Sequence, residues 1–212
     1  MNDKLTYLAF DCTSGDSSVA LRVGERYHTK TIPAGRQAAM LISTIDALLK
    51  QTHIRYEDIF AIITTTGPGT FTGIRIALAA AHGIHLVTKT PLKTLTTTEA
   101  YAWQAGTPCD VVLNAGKGEL YHQSFDFTDR PIATSEILML APSTLKPRTQ
   151  TIVSNILIDH VASVVAPIDA ASLCKAAPRL DVTPLHEAVP LYIRPPDAKL
   201  PMPSSSSIMP QA

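Results

Sequence analysis

Residues 64–86, TTTGPGTFTGIRIALAAAHGIHL, join a β-branched run, a Gly/Pro loop and a small-residue helix, a junction where phosphate chemistry is possible. Free backbone N–H groups and the helix dipole attract anions there. The letters exclude the two common versions. A P-loop needs G-x-x-x-x-G-K-[ST], and no lysine stands in this loop; the dinucleotide pattern G-x-G-x-x-G needs glycine where Thr72 stands, with Gly73 one residue late. Asp11, before Cys12-Thr13-Ser14, reads either as a carboxylate holding a metal through water or as a turn carboxylate bonding nearby N–H groups. His82 and His85 lack the glutamate of HExxH and read as helix-surface residues. Cys12, Cys109 and Cys174 have neither CxxC nor zinc spacing, and no Ser/His/Asp arrangement can be drawn from the chain.

The helix after the loop offers another use. Gly73, Ala77 and Ala81 recur every fourth residue as a ridge of almost no side-chain volume, with Ile74, Leu78 and His85 on the next ridge. A ridge of this kind lets a second helix backbone approach closely, whether inside its own domain or on a partner. The earlier helix, residues 35–52, turns Ala38, Leu41, Ile45, Leu48 and Leu49 to a core, and carries Ala39, Met40, Ser43 and Ala47 opposite, where a solvated helix would show Lys and Glu. Packing of the two helices on each other is the simple account; a partner surface is the other.

Those helices need a sheet to hold them. Leu5–Thr13, Ser17–Val23 and Arg26–Ile32 read as antiparallel strands, and Ile59–Thr66 as a strand entering the loop at Gly67-Pro68-Gly69. Leu92–Leu95 is a short strand, and Thr96 with Glu99 has capping-box spacing for a helix to Gln104. The order βββαβαβα gives an α/β first domain, residues 1–105. Strands Asp110–Asn114 and Leu120–Phe127 open a second half, 106–194, with another hairpin, which suggests a duplicated architecture. Ile137–Leu140 and Thr151–Ser154 read as strands, and Ile156–Val165 and Ala170–Ala177 as short helices. Residues 195–212 are Pro/Ser-rich and read as a mobile tail.

Basic and acidic residues balance at 18 each, so no global charge drives nucleic-acid binding. An odd cysteine count, and an N-terminal apolar run too short for a signal peptide, read as cytoplasmic. Arg75, His82 and the helix length argue against a membrane span.

GPGTFTGIRIALAAAHGI, with LAFDCTSGDSSVAL upstream and PLYIRPPDA near the end, resembles the bacterial TsaB (YeaZ) family, whose loop reads approximately GPGSFTGLRIGLAxAKGLA. The resemblance implies an actin-like ASKHA (RNase H-like) fold of two βββαβα-type lobes, the C-terminal one reduced. It implies a non-catalytic subunit in forming threonylcarbamoyladenosine beside the tRNA anticodon. On that pattern the chain pairs with the catalytic TsaD through the first two helices, works with TsaE, pairs with itself when alone, and meets tRNA through the complex, with no cofactor or metal of its own. The implied interface is Ala39, Met40, Ser43, Ala47, Phe71, Gly73, Ile74, Ala77 and Ala81, with Gly67, Pro68, Gly69, Thr70 and Thr72 shaping the loop. Thr97 and Tyr101 stand where the catalytic sister carries a metal-binding His-x-x-x-His pair. Asn114-Ala115-Gly116 replaces the family's Asp-Ala-Arg, and Ala77 stands where the family often has glycine. The competing readings are an ATP-binding ASKHA phosphotransferase with Asp11 near Mg²⁺, and a peptidase-like relative.

Overall fold

The computed structural model describes residues 5–158 and 162–193; the tail expected over 195–212 lies outside them. Strands β1 (Thr6–Asp11), β2 (Ser17–Val23), β3 (Arg26–Ile32), β4 (Ala61–Thr65) and β5 (Leu92–Leu95) form a five-stranded sheet in the order β3-β2-β1-β4-β5. β1, β2 and β3 run antiparallel, while β4 and β5 lie parallel to β1. β1 is buried along its whole length because both faces of the sheet are covered. Leu8 and Phe10 join the core under helices α1 (Gln37–Thr52) and α2 (Phe71–Thr88). Tyr7 and Ala9 point the other way, into a second core that reaches the second sheet.

That second sheet has the order β11-β10-β6-β7-β8, with β9 also on β7. Its strands are β6 (Cys109–Gly116), β7 (Glu119–Phe127), β8 (Pro131–Ala133), β9 (Leu138–Leu140), β10 (Ile152–Ser154) and β11 (Val164–Val165). β10 lies parallel to β6 as β4 does to β1, so the hairpin-plus-parallel-strand pattern occurs twice. Between the sheets, α3 (Thr97–Ala105) and α4 (Ala170–Ala176) bury Ala100, Tyr101, Leu173 and Cys174 with Val111, Tyr121 and Phe125. The Thr96/Glu99 capping box is present, and Gly106 closes α3 in the left-handed conformation.

One expectation for the second half fails. The helix expected over Ile156–Val165 is absent from its described residues: 156–158 lack helical structure and Val164–Val165 pairs in parallel with β10, in keeping with β-branched residues. β8, hidden behind Pro131, was not expected. The segment after α4 then returns to the first sheet, where Thr183 N donates to Leu92 O at 2.7 Å and Leu191 N to Thr66 O at 2.8 Å.

α2, at 18 residues, is long and apolar enough for a membrane span, so length does not argue against one; 33% of it, Gly73, Ile74, Ala77, Leu78, Ala81 and Ile84, is buried in the fold.

Lys93 on β5 fixes the end of α4. Its Nζ donates to Ala177 O at 2.8 Å and Leu180 O at 2.6 Å, and burial pushes its pKa below the usual lysine value. Charged-donor bonds of this kind contribute about 2 kcal/mol. Lys93→Met is therefore expected to lower the melting temperature by roughly 4–8 °C, measured by calorimetry.

Candidate functional site

The loop Gly67–Thr70 is shaped by contact with the β1–β2 turn. Gly67 has φ +109°, a conformation open to glycine. A Cβ on Gly69 would stand 2.6 Å from Thr13 O, and one on Gly73 only 1.8 Å from Cys12 O. Thr70 N donates to Thr13 O at 2.8 Å, and the Thr70 hydroxyl accepts from Gly73 N at 3.3 Å as the N-cap of α2. Thr72 lies in the first turn of α2, outside the loop. The glycines thus seat a helix on a strand end, with no anion required.

Behind this loop opens a cleft of about 700 Å³ between the lobes. Ser14, Asp16, Thr97, Asn114 and Asn155 supply polar lining, and no Lys or Arg is among the lining residues. Asp16 is engaged by Ala34 N at 2.9 Å. Asp11 does not line the cleft. It is buried, accepting from Thr13 N at 3.1 Å, Thr13 Oγ1 at 2.8 Å and Thr65 Oγ1 at 2.5 Å, the turn-carboxylate alternative extended to a neighbouring strand. Burial raises its pKa above the ordinary 3.8. Among the described residues lining this cleft, no cationic side chain is placed to meet a triphosphate. Calorimetric titration with ATP and Mg²⁺ is expected to give no stoichiometric binding; a tight 1:1 isotherm would favour the phosphotransferase.

A Ser, His and Asp do converge in the second lobe, unseen in the sequence because their strands had to be paired first. Asp110 Oδ1 accepts from His122 Nε2 at 2.6 Å and Ser124 Oγ at 2.6 Å. Its Oδ2 accepts from Arg148 N at 2.8 Å, Thr149 N at 2.6 Å and Thr149 Oγ1 at 2.8 Å. The serine donates to the carboxylate and not to the imidazole, so no base activates it, and the carboxylate clamps the 148–149 loop to β6. Burial alone would raise the Asp110 pKa, but the bonds from Ser124, His122 and Thr149 outweigh it and hold it below 3.8. The unfolded carboxyl therefore takes up its proton first, and the stability from Asp110, complete above pH 3.8, is lost as pH falls through its lower folded value. Asp11 has the opposite sign: its effect on stability worsens as pH rises from 3.8 through its higher folded value. Asp110→Asn is expected to cost about 3 kcal/mol at neutral pH and to flatten the acid limb of a circular-dichroism titration.

The third feature is an apolar groove of about 600 Å³ between α1 and α2. Ala38 and Ile42 line it from α1, and Ile76, Ala79, Ala80, Gly83 and Val87 from α2, with Tyr56 and Glu57 at its side. Ile42 is 48% exposed and Val87 84%. Ala39, Ser43 and Ala47 are exposed on α1 as expected, while Met40 is half-buried against the core.

The α2 half of the expected interface needs correction. Gly73, Ile74, Ala77 and Ala81 are buried, Ala77 and Ala81 completely. Their ridge faces the protein's own sheet, because only a side chain as small as glycine lets α2 pass Cys12 O. The accessible ridge is the neighbouring one, Ala79, Ala80 and Gly83, where a Cβ on Gly83 would meet nothing within 4 Å. Phe71 is exposed but apart, stacked with Tyr192 at 5.4 Å and covered by Arg75 at 3.5 Å. His82 and His85 are half-buried, and an His85 ring nitrogen bonds Thr90 O at 2.8 Å.

Residues 33–141, slightly more than half of the 212-residue chain, match the family described as TsaD: tRNA N6-adenosine threonylcarbamoyltransferase. The tRNA threonylcarbamoyladenosine biosynthesis protein TsaB of Buchnera aphidicola subsp. Baizongia pistaciae is 37% identical over 82 residues, 38% of this chain and 37% of that protein. The chain belongs to this family, on its TsaB (YeaZ) side. TsaB of Haemophilus influenzae is 31% identical over 81 residues, 38% of this chain and 34% of that protein. The matches thus span little more than a third of these relatives' lengths. YeaZ from Pseudomonas aeruginosa superposes with a TM-score of 0.76 at 21% identity, over 89% of this chain and 100% of that one. The fold is the expected actin-like α/β architecture of two related lobes.

Of the two residues that the resemblance sets against a metal-binding pair, Thr97 is fully buried and Tyr101 donates to Ala166 O at 3.1 Å. Burial pushes the Tyr101 hydroxyl up to about 12. Neither group offers a lone pair suited to a divalent ion at neutral pH.

Proposed function

We propose that this chain is a non-catalytic partner in forming threonylcarbamoyladenosine next to the tRNA anticodon, docking on the catalytic TsaD and working with TsaE in the cytoplasm. The observation that carries the reading is the α1/α2 groove: an exposed apolar channel floored by Ala79, Ala80 and Gly83. Small residues let a partner helix approach to backbone distance, so dispersion contact and apolar burial supply the affinity. Ala38, Ala39, Ile42, Ser43 and Ala47 extend the surface along α1. A second copy of the chain docks there when TsaD is absent, because a two-fold pairing of the same groove buries the same apolar area. Thr97 and Tyr101 support a partner role over a catalytic one.

Co-purification of the full chain with the TsaD protein of the same genome tests docking. A stable complex that replaces the self-association of the isolated chain in size-exclusion chromatography is expected. Failure to associate at micromolar concentration contradicts the proposal.

A further inference from the structure

β3 is the outer strand of the first sheet, and no strand covers its far edge among the described residues. Residues opposite one another on paired strands share a face, so Arg26 opposite Val23, His28 opposite Leu21 and Lys30 opposite Val19 all lie on the face that α1 covers. Arg26 and Lys30 are exposed at its margin, and Arg36 follows in the turn into α1. Arg26, His28, Lys30 and Arg36 form no ion pair among the described residues. Between residues 22 and 36 the only acidic residue is Glu25, bonded to Arg22 at 2.9 Å. On the opposite face, Tyr27 is flanked by Arg22 at 5.6 Å and Lys175 at 5.8 Å. A chain whose charges cancel thus concentrates three cations without an ion-pair partner among the described residues, Arg26, Lys30 and Arg36, along one open sheet edge.

We infer that the β3 edge is a contact strip for the phosphate backbone of RNA, with Arg26 and Lys30 as its principal phosphate ligands and His28 and Arg36 beside them. Alternate side chains on a strand are about 6.8 Å apart, on the scale of one phosphodiester repeat in an extended strand. A membrane surface fits less well, since β3 and the turn that follows it, residues 26–36, carry no large exposed apolar side chain to enter it. The strip rests on the reading above, in which tRNA is the substrate of the assembly, and makes this chain a direct tRNA contact. α1 packs on β2 and β3 while α2 packs on β1 and β4, so β3 lies on the far side of α1 from the α2 floor of the groove that receives the partner. The plain alternative is that charges on an edge strand merely block edge-to-edge pairing.

Fluorescence anisotropy of labelled, unmodified tRNA decides, using the full chain co-purified with TsaD, between about 50 and 200 mM salt. R26E/K30E is expected to weaken tRNA binding at least tenfold and to lower the slope of log affinity against log salt by about 2, roughly 1 per phosphate contact. R26Q/K30Q, which removes the charges without adding repulsion, is expected to lower the slope by the same amount. Wild-type tRNA affinity and slope in either folded variant overturns the strip, as does absence of tRNA binding by the wild-type complex. Retention of TsaD by the variants is read in the same purification, so a failure of docking is seen separately.

Discussion

Gly73→Val is expected to yield a protein that does not fold at 37 °C. Even the Cβ of Gly73→Ala would stand 1.8 Å from Cys12 O and 2.6 Å from Thr70 Oγ1. Backbone lies on both sides of that contact, since Cys12 directly follows β1 and Gly73 sits in the first turn of α2, so neither can yield without moving an element. Overpacking against backbone costs about 3 kcal/mol or more. In a domain of this size that lowers the melting temperature by roughly 6–12 °C for Gly73→Ala. Gly83→Ala, ten residues along the same helix, is the control. With nothing within 4 Å of the added Cβ, it is expected to leave stability unchanged or to raise it by up to about 1 kcal/mol. Differential scanning calorimetry of the two variants reads both effects; equal melting temperatures would show that the helix is not seated as described.

Gly83→Glu and Ala77→Glu are expected to fail in opposite ways. Gly83→Glu places a carboxylate in the open groove, where water solvates it in the free chain and a docked helix would strip that water away. The monomer keeps its melting temperature, and affinity for TsaD falls at least about 100-fold, equivalent to roughly 2.7 kcal/mol. Ala77→Glu forces a charge into a position with 0% exposure against the sheet, so it is expected to lose on the order of 4 kcal/mol of stability and to affect docking only by unfolding. Paired thermal melts and titration with TsaD separate the two outcomes. If Gly83→Glu binds TsaD as well as the unaltered chain, the groove is not the docking site.

The two variants also mark where sequence reasoning stops. The first sheet is legible because Val19, Leu21 and Val23 alternate and glycines punctuate the turns, and the Thr96/Glu99 box sets the start of α3 within a residue. The lining of α2 is not. Small residues occupy adjacent ridges, Gly73/Ala77/Ala81 and Ala79/Ala80/Gly83, and side-chain volume alone does not say which ridge meets the sheet. The contact that decides, Gly73 against Cys12 O, joins residues sixty-one positions apart and becomes visible only once β1 and β4 are paired. The same holds for Asp110, whose partners His122, Ser124 and Thr149 come from a neighbouring strand and a distant loop. In the second lobe, strands of two or three residues such as β11 and β8 are too short to display a period, so Val164–Val165 passes for the end of a helix.

The measurement that bears most directly on the account is a reconstituted threonylcarbamoyl transfer assay on unmodified tRNA, with TsaE and the activated threonylcarbamoyl donor present throughout, comparing TsaD alone, this chain alone, and the two together. Modification with both proteins well above TsaD alone, and none with this chain alone, is the predicted result. Transfer by this chain without TsaD, or a TsaD rate indifferent to its presence, would contradict it.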